Sequence, residues 1–298
     1  MSDFTSAVCL VCGDTSPRLR YQITRFQVLA CTKCPQIYLY PLPGEEEIHD
    51  LFAELYATGG GSVPELKSYY GFCYDDTPSN PLVQLYESWL SKIEEHHAPG
   101  RMLDVGSGTG LFLALAKRRG WEVYGIDGSV EATDYARQNF GLDLWVGDFA
   151  DFGRRNEQFD VITGWDIIEH SRDPVALLEE MRGSLAPGGS IVLSTPDQHS
   201  ILDVVAGAFY RLSGGASTSA LEKFYIEQHF LYFTHESLTH ALRLARLDVR
   251  SIEPEVTDLR RLTLNPVMRL ILMAMFFFAK RVGLENRILV MAKASGDD

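Results

Sequence analysis

Residues Leu103 to Gly110 read LDVGSGTG, and the fold is decided there. An apolar run meets an acid, Asp104, and glycines follow at alternate positions: Gly106, Gly108 and Gly110. Alternate glycines let a strand turn sharply into a helix, so that backbone N–H groups and the helix N-terminus can approach a nucleoside closely. The predicted helix follows at once, with Leu111, Leu113, Leu115 and Ala116 apolar and Lys117, Arg118 and Arg119 closing its last turn. A dinucleotide fold's G-x-G-x-x-G would need glycine at 111, where Leu111 stands.

The next partner narrows this reading. Beyond Gly120, an apolar strand from Val123 to Ile126 ends in Asp127, followed by Gly128 and Ser129. An acid at the tip of the second parallel strand can accept hydrogen bonds from both hydroxyls of an adenosine ribose, in NAD or S-adenosylmethionine alike. A third acid, Asp148 in VGDF, ends the next short strand, where an adenine amino group would lie.

From Arg101 onward strands and helices alternate, the pattern of a doubly wound α/β sheet covered on both faces. Strands are expected at 101–105, 121–126, 143–146, 159–164 and 189–194, and helices at 109–119, 130–139 and 173–186. Thr234 can cap a further helix whose apolar face is Ser237 to Ala245; Leu247 to Glu255 and Arg287 to Ala294 read as the last strands. Upstream, Glu45 to Tyr56 and Pro81 to His97 read as helices, and the glycine-rich Thr58 to Pro64 as a lid or a linker.

Before this core stand two cysteine pairs, Cys9-x-x-Cys12 and Cys31-x-x-Cys34, separated by 18 residues. Such knuckles can place four thiolates tetrahedrally around a structural zinc ion, with Gly13 permitting the tight backbone and Tyr21 to Ala30 supplying strand. Cys73 stands alone and reads as a packed or surface thiol. The expected organisation is a zinc ribbon at 1–43, a helical linker or lid region at 44–98, and a catalytic domain at 99–298. Two stretches within that domain, 198–226 and 257–286, exceed what a basic fold requires. An insertion after the fifth strand lies at the carboxyl edge of the sheet, where ligands bind.

Composition sets outer limits. Lys and Arg number 27 against 40 Asp and Glu, a net charge of −13, which argues against a nucleic-acid partner. Met1 to Thr5 is polar, so no leader pattern is read and the cytoplasm is expected, in keeping with paired thiols in a reducing compartment. The second insertion contains an apolar run, Leu270 to Ala279, too short to span a bilayer. Three readings are open for residues 265–283: a helix packed on its own domain, a homodimer contact, or a peripheral membrane contact near Arg269, Lys280 and Arg281.

The ordered set LDVGSGTG, GIDGS, VGDF, FDVITGWDIIEH and LAPGGSIVLSTP resembles the motifs of class I S-adenosylmethionine-dependent methyltransferases, nearest to the branch of quinone and sugar O-methyltransferases. The likeness covers about 80 to 255 and implies a seven-stranded Rossmann-like sheet with its last two strands antiparallel at one edge. It also implies S-adenosylmethionine as cofactor, beside the structural zinc. Asp104, Gly106, Ser107, Gly108 and Gly110 would line the methionine end and Asp127 would hold the ribose, with Gly128 and Ser129 beside it. Asp148 and Phe149 would hold adenine, and Trp165 and Asp166 would close the pocket beside the sulfonium. The expected reaction is methylation of a hydroxyl on a sugar or other small secondary metabolite. A quinone or lipid-linked acceptor comes next, followed by ribosomal RNA, a deoxysugar carbon, or cofactor binding without catalysis. His170 and His229 are the candidate general bases, with His199 a third. His170 also reads as a helix-start histidine that orders its loop, and Asp166, Glu169 and His170 as helix caps or ligands of a divalent ion.

Overall fold

The computed structural model describes residues 7–57, 70–153 and 156–296; the 58–64 segment read as a lid or a linker lies outside the described residues. Strands β1 (Arg18–Gln22), β2 (Gln27–Ala30) and β3 (Ile37–Tyr40) form an antiparallel meander, so the stretch read as one strand folds back on itself at Ile23 and Phe26. Helix α1 (Glu45–Ala57) follows, then a turn of 3₁₀ helix at Phe72–Tyr74 and α2 (Pro81–Glu94). Asn80 starts α2 by accepting from the Leu82 N–H at 2.8 Å, with proline at the first helical position.

The main sheet begins with β4 (Arg101–Val105), whose last four residues are all buried, as a parallel strand covered on both faces requires. The alternation continues through α3 (Leu111–Arg118), β5 (Glu122–Asp127), α4 (Val130–Phe140), β6 (Trp145–Val146), α5 (Phe149–Gly153), β7 (Phe159–Trp165), α6 (Pro174–Gly183) and β8 (Leu185–Pro196). The chain then adds α7 (Ile201–Leu212), β9 (Leu231–Tyr232), α8 (His235–Leu244), β10 (Leu247–Glu255), α9 (Pro266–Val282) and β11 (Arg287–Ala294). Seven strands stand in the order β10-β11-β8-β7-β4-β5-β6, with β11 antiparallel to both its neighbours and the other pairs parallel. The Rossmann-like methyltransferase sheet expected from the motifs is the one observed.

Two boundaries move for identifiable reasons. The helix expected over 173–186 stops at Gly183, because the Ser184 N–H closes onto the Glu180 and Met181 carbonyls. The Ser184 carbonyl then accepts from Phe159 N–H at 2.9 Å, which draws Leu185 into the sheet and makes β8 longer than the expected 189–194. The strand expected over 143–146 shrinks to Trp145–Val146 at the sheet edge, where one neighbour is all it has.

The cysteine-bearing meander is tied to the main domain. β9, from the far side of the chain, pairs with β3 (Ile37 opposite Tyr232, Tyr38 opposite Leu231) and completes a second sheet, β1-β2-β3-β9. Tyr21 packs edge-on against Tyr210 of α7, and Arg20 forms an ion pair with the buried Asp203.

At the glycine turn, Gly106 has φ +72°, and its N–H and that of Ser107 both donate to the Ile126 carbonyl. A Cβ at 106 would lie 2.4 Å from Cγ2 of Ile167. Gly106→Ala combines a disfavoured φ with that clash, so a loss of about 1–3 kcal/mol is expected. The check is the urea midpoint at unchanged slope, and a change below about 0.5 kcal/mol would show that Ile167 simply moves aside.

Candidate functional site

A cavity of about 1360 Å³ opens at the carboxyl ends of β4, β5, β7 and β8. Sites of about 300–1,000 Å³ suffice for one drug-sized ligand. This cavity has room for a nucleoside-sized cofactor and a second sizeable molecule.

The donor end is built on the glycine turn. Asp127 accepts from Gly108 N–H at 2.7 Å and from Ser129 N–H at 2.9 Å, one bond to each carboxylate oxygen. Each oxygen keeps acceptor capacity, and burial raises the Asp127 carboxyl above the usual range, so further donors such as two ribose hydroxyls would stabilise its charge. Among the described residues, the buried Ser107 hydroxyl and the Trp165 indole N–H have no hydrogen-bond partner, and both residues line the same wall. Asp104 accepts from the Thr163 hydroxyl at 2.7 Å, and burial pushes its carboxyl up to about 7. Glu131 adds a fourth acid-bearing position with Asp166. This set has the wrong sign for a pyrophosphate and the right sign for a sulfonium cation with an ammonium group. Buried Arg261, close enough to bear on Cys73, adds one cation there, as an amino-acid zwitterion requires.

Aromatic rings complete that wall. Trp165 stacks on Trp89 with centroids 4.4 Å apart and meets Phe112 edge-on at 4.8 Å. Faces of this kind attract cations. Asp166 follows with φ +54°, an unusual conformation for a non-glycine residue, and is held by Arg287, which donates at 2.5 Å to it and at 2.7 Å to Ser194.

In the same cavity, two segments distant in sequence meet. Glu169 carbonyl accepts from Phe230 N–H at 2.9 Å, while the Gln228 carbonyl accepts from Nδ1 of His170 at 2.6 Å. Because a carbonyl only accepts, Nδ1 carries the proton in that bond, and the Asp166 backbone is a second hydrogen-bond partner of the ring. The His170 and His229 rings lie 4.8 Å apart, and one ligand atom from each of Glu169, His170 and His229 falls within 4.8 Å of the others. Thr195 donates to one oxygen of Glu169 at 2.8 Å, and the other is buried without a partner among the described residues. Burial, then the charge of Asp166, pushes Glu169 up to about 8; burial, then His170, holds His229 down to about 3.

Most of the residues singled out in the sequence line this one cavity: Asp104, Gly106, Ser107, Gly108, Asp127, Gly128, Ser129, Trp165, Asp166, His170 and His229. Three stand elsewhere. Gly110 caps α3 with φ +76°, Asp148 is exposed, and Phe149 packs in the core. His199 donates its backbone N–H to Asp197 and does not line the cavity. Sequence reasoning passed over Tyr86, Trp89, Arg261 and Arg287. Tyr86 and Trp89 sit three apart on a helix, a spacing that puts two aromatic rings on one face; the arginines carried no local signal.

The four cysteines also come together, with Cys9 and Cys34 sulfurs 3.6 Å apart, Cys12 and Cys31 3.5 Å apart, and all four within 4.8 Å. Sulfurs about 2.3 Å from one tetrahedral ion stand roughly 3.8 Å from each other, so the donor set fits zinc. The hydrogen bond from Cys34 holds the Cys9 thiol down to about 5, already favouring a thiolate.

The sheet order and the cavity at its carboxyl edge are those of the class I S-adenosylmethionine-dependent methyltransferase fold. The chain belongs to the methyltransferase domain family, which it matches over residues 82–252. It is similar to the ubiquinone biosynthesis O-methyltransferase of Hahella chejuensis, 30% identical over 203 residues that cover 63% of this chain and 78% of that protein. The counterpart from Cereibacter sphaeroides is 34% identical over 100 residues, 32% of this chain and 40% of that protein. Against most relatives of this name the chain spans about half their length, 53% or 54% in other cases. Among solved structures, magnesium protoporphyrin IX methyltransferase of Synechocystis PCC 6803 with bound SAH shares the fold: TM-score 0.54, 14% identity, 85% of this chain and 100% of that one.

Asp127→Ala is expected to weaken S-adenosylmethionine binding about 100-fold by calorimetry, the value of two charged hydrogen bonds. A retained thermal transition separates this from unfolding, and unchanged affinity would refute the ribose assignment. Asp104 must ionise to attract the cofactor's cations. Because its carboxyl sits at about 7, cofactor affinity should rise with pH through that value, and Asp104→Asn should flatten the rise.

Proposed function

We propose that the chain moves a methyl group from S-adenosylmethionine to a hydroxyl oxygen of a largely apolar, quinone-related or phenolic acceptor. The observation that carries this reading is that His170 and His229 line the same cavity as the acids of the glycine turn, with buried Glu169 beside them. The sugar acceptor expected first is set behind the quinone alternative, which the names of the similar proteins favour.

When bound, the cofactor supplies an electrophilic methyl group on a sulfonium. Asp127, Asp104 and the turn of Gly106 and Gly108 position it, and the Trp165, Trp89 and Phe112 rings exclude water. Alignment of this kind accounts for much of the rate in a displacement. His170, which donates Nδ1–H to the Gln228 carbonyl and lines the cavity, is the group we assign to take the acceptor's hydroxyl proton. Burial lowers the His170 pKa, so the neutral imidazole is the form on hand at neutral pH.

The same trio supports a second reading, in which Glu169, His170 and His229 hold a divalent cation that would polarise the acceptor oxygen. At the other end of the chain, Cys9, Cys12, Cys31 and Cys34 would hold structural zinc. The negative charge of the chain disfavours the RNA acceptor.

His170→Ala is expected to reduce turnover of a catechol-type acceptor by about 10²–10⁴ at unchanged cofactor affinity. Wild-type turnover would remove His170 from the reaction. Activity lost to a chelator and restored by a divalent ion selects the metal reading, and indifference to chelation selects the base. Metal analysis should find about one zinc per chain that Cys31→Ser releases; a metal-free preparation with a normal melting transition would sink the ribbon assignment.

A further inference from the structure

Helix α9 has the sequence PVMRLILMAMFFFAKRV, yet only Phe276 and Ala279 on it are buried. A helix apolar on nearly every side is normally found inside a core or a membrane. Leu270 is 68% exposed, Phe277 62% and Phe278 55%. Helix α7 extends the same surface with Phe209 (61%) and Leu212 (87%), and the two helices are joined by a small cluster of Ile201, Phe276 and Ala279. Both belong to the insertions that exceed the basic fold.

We propose that α7 and α9 form a docking face that lies in the interface of an anionic lipid bilayer, and that the acceptor enters the cavity from that bilayer as a molecule with a long apolar tail. The second half of this proposal rests on the methyl-transfer reading above.

Charge favours this occupant. The whole chain carries −13, yet residues 266–283 contain Arg269, Lys280 and Arg281 and no acid, and Arg211 closes α7. Basic residues beside an apolar helix face fit an anionic headgroup layer. A second copy meeting the same patch would bring like charges together. The 17 residues span about 26 Å, and among the described residues no helix is long and apolar enough to cross a membrane. The helix therefore rests in the interfacial plane.

Continuity with the cavity supplies the route. Val205 and Phe209 of α7, with Met268 and Ile271 of α9, line the cavity and are exposed at the same time. An acceptor's tail can remain against these side chains and the lipid while its polar head reaches His170.

The test is flotation of the full chain with vesicles of phosphatidylcholine and phosphatidylglycerol at 3:1. The chain is expected to float with these vesicles and at least about tenfold less with phosphatidylcholine alone or at high salt. The double variant Phe277→Asp/Phe278→Asp, outside the cavity lining, should lose flotation about tenfold. It should keep cofactor affinity by calorimetry and turnover of a short, water-soluble acceptor, while KM rises for a long-tailed acceptor presented in vesicles. Absence of flotation by the wild type would overturn the proposal. So would a dimer in sedimentation equilibrium that the double variant dissociates, because the face would then be a contact between copies. Flotation without transfer to any acceptor would leave the docking face standing and remove the methyl-transfer reading and the entry route with it.

Discussion

The acceptor side of the cavity depends on a two-residue strand. Leu231 and Tyr232 pair with Tyr38 and Ile37, and the residues just before that strand supply the Gln228 carbonyl, the His229 ring and the Phe230 N–H. A two-residue strand has little stability of its own, so its position is inherited from β3. That strand in turn follows the second cysteine knuckle directly, with the Gln36 side-chain amide donating to the Tyr232 carbonyl at 3.2 Å. A ribbon with no side chain in the reaction thereby fixes where one of the candidate bases stands. Tyr21 under α7 and the Arg20–Asp203 pair brace the same wall from the other side.

The donor half was legible in the sequence because its parts are local. A turn, two strand tips and their spacing are written within residues 103–129, and backbone geometry carries them into place. The acceptor half was legible only as types of residue. His170 and His229 are 59 positions apart, and nothing near either one specifies that a Glu169–Phe230 backbone bond will join their loops. Arg287 could not be read at all: its partner Asp166 lies just past the end of β7, two places across the sheet, and β11 gave the pattern of an ordinary edge pair. Asp148 shows the reverse case, a local motif with the right spacing whose short strand leaves its side chain exposed.

Charge is distributed along the cavity in a way that suits a displacement with a charged donor and an uncharged product. Acids crowd the donor end, where Asp104 and Asp127 are buried and held above their usual pKa range. On the proposed reading, a cation entering there would relieve an unfavourable burial, so a sulfonium would bind more strongly than its neutral thioether product. At the acceptor end the preference is for neutrality: Glu169 is pushed up and both histidines down, chiefly by burial. On the proposed reading, transfer of the methyl would remove the cation that the acids attract, and a proton taken by His170 would sit on an imidazole that burial keeps neutral. Burial that holds the acids up and the histidines down thereby favours entry of a positive charge at one end of the cavity and loss of a proton at the other.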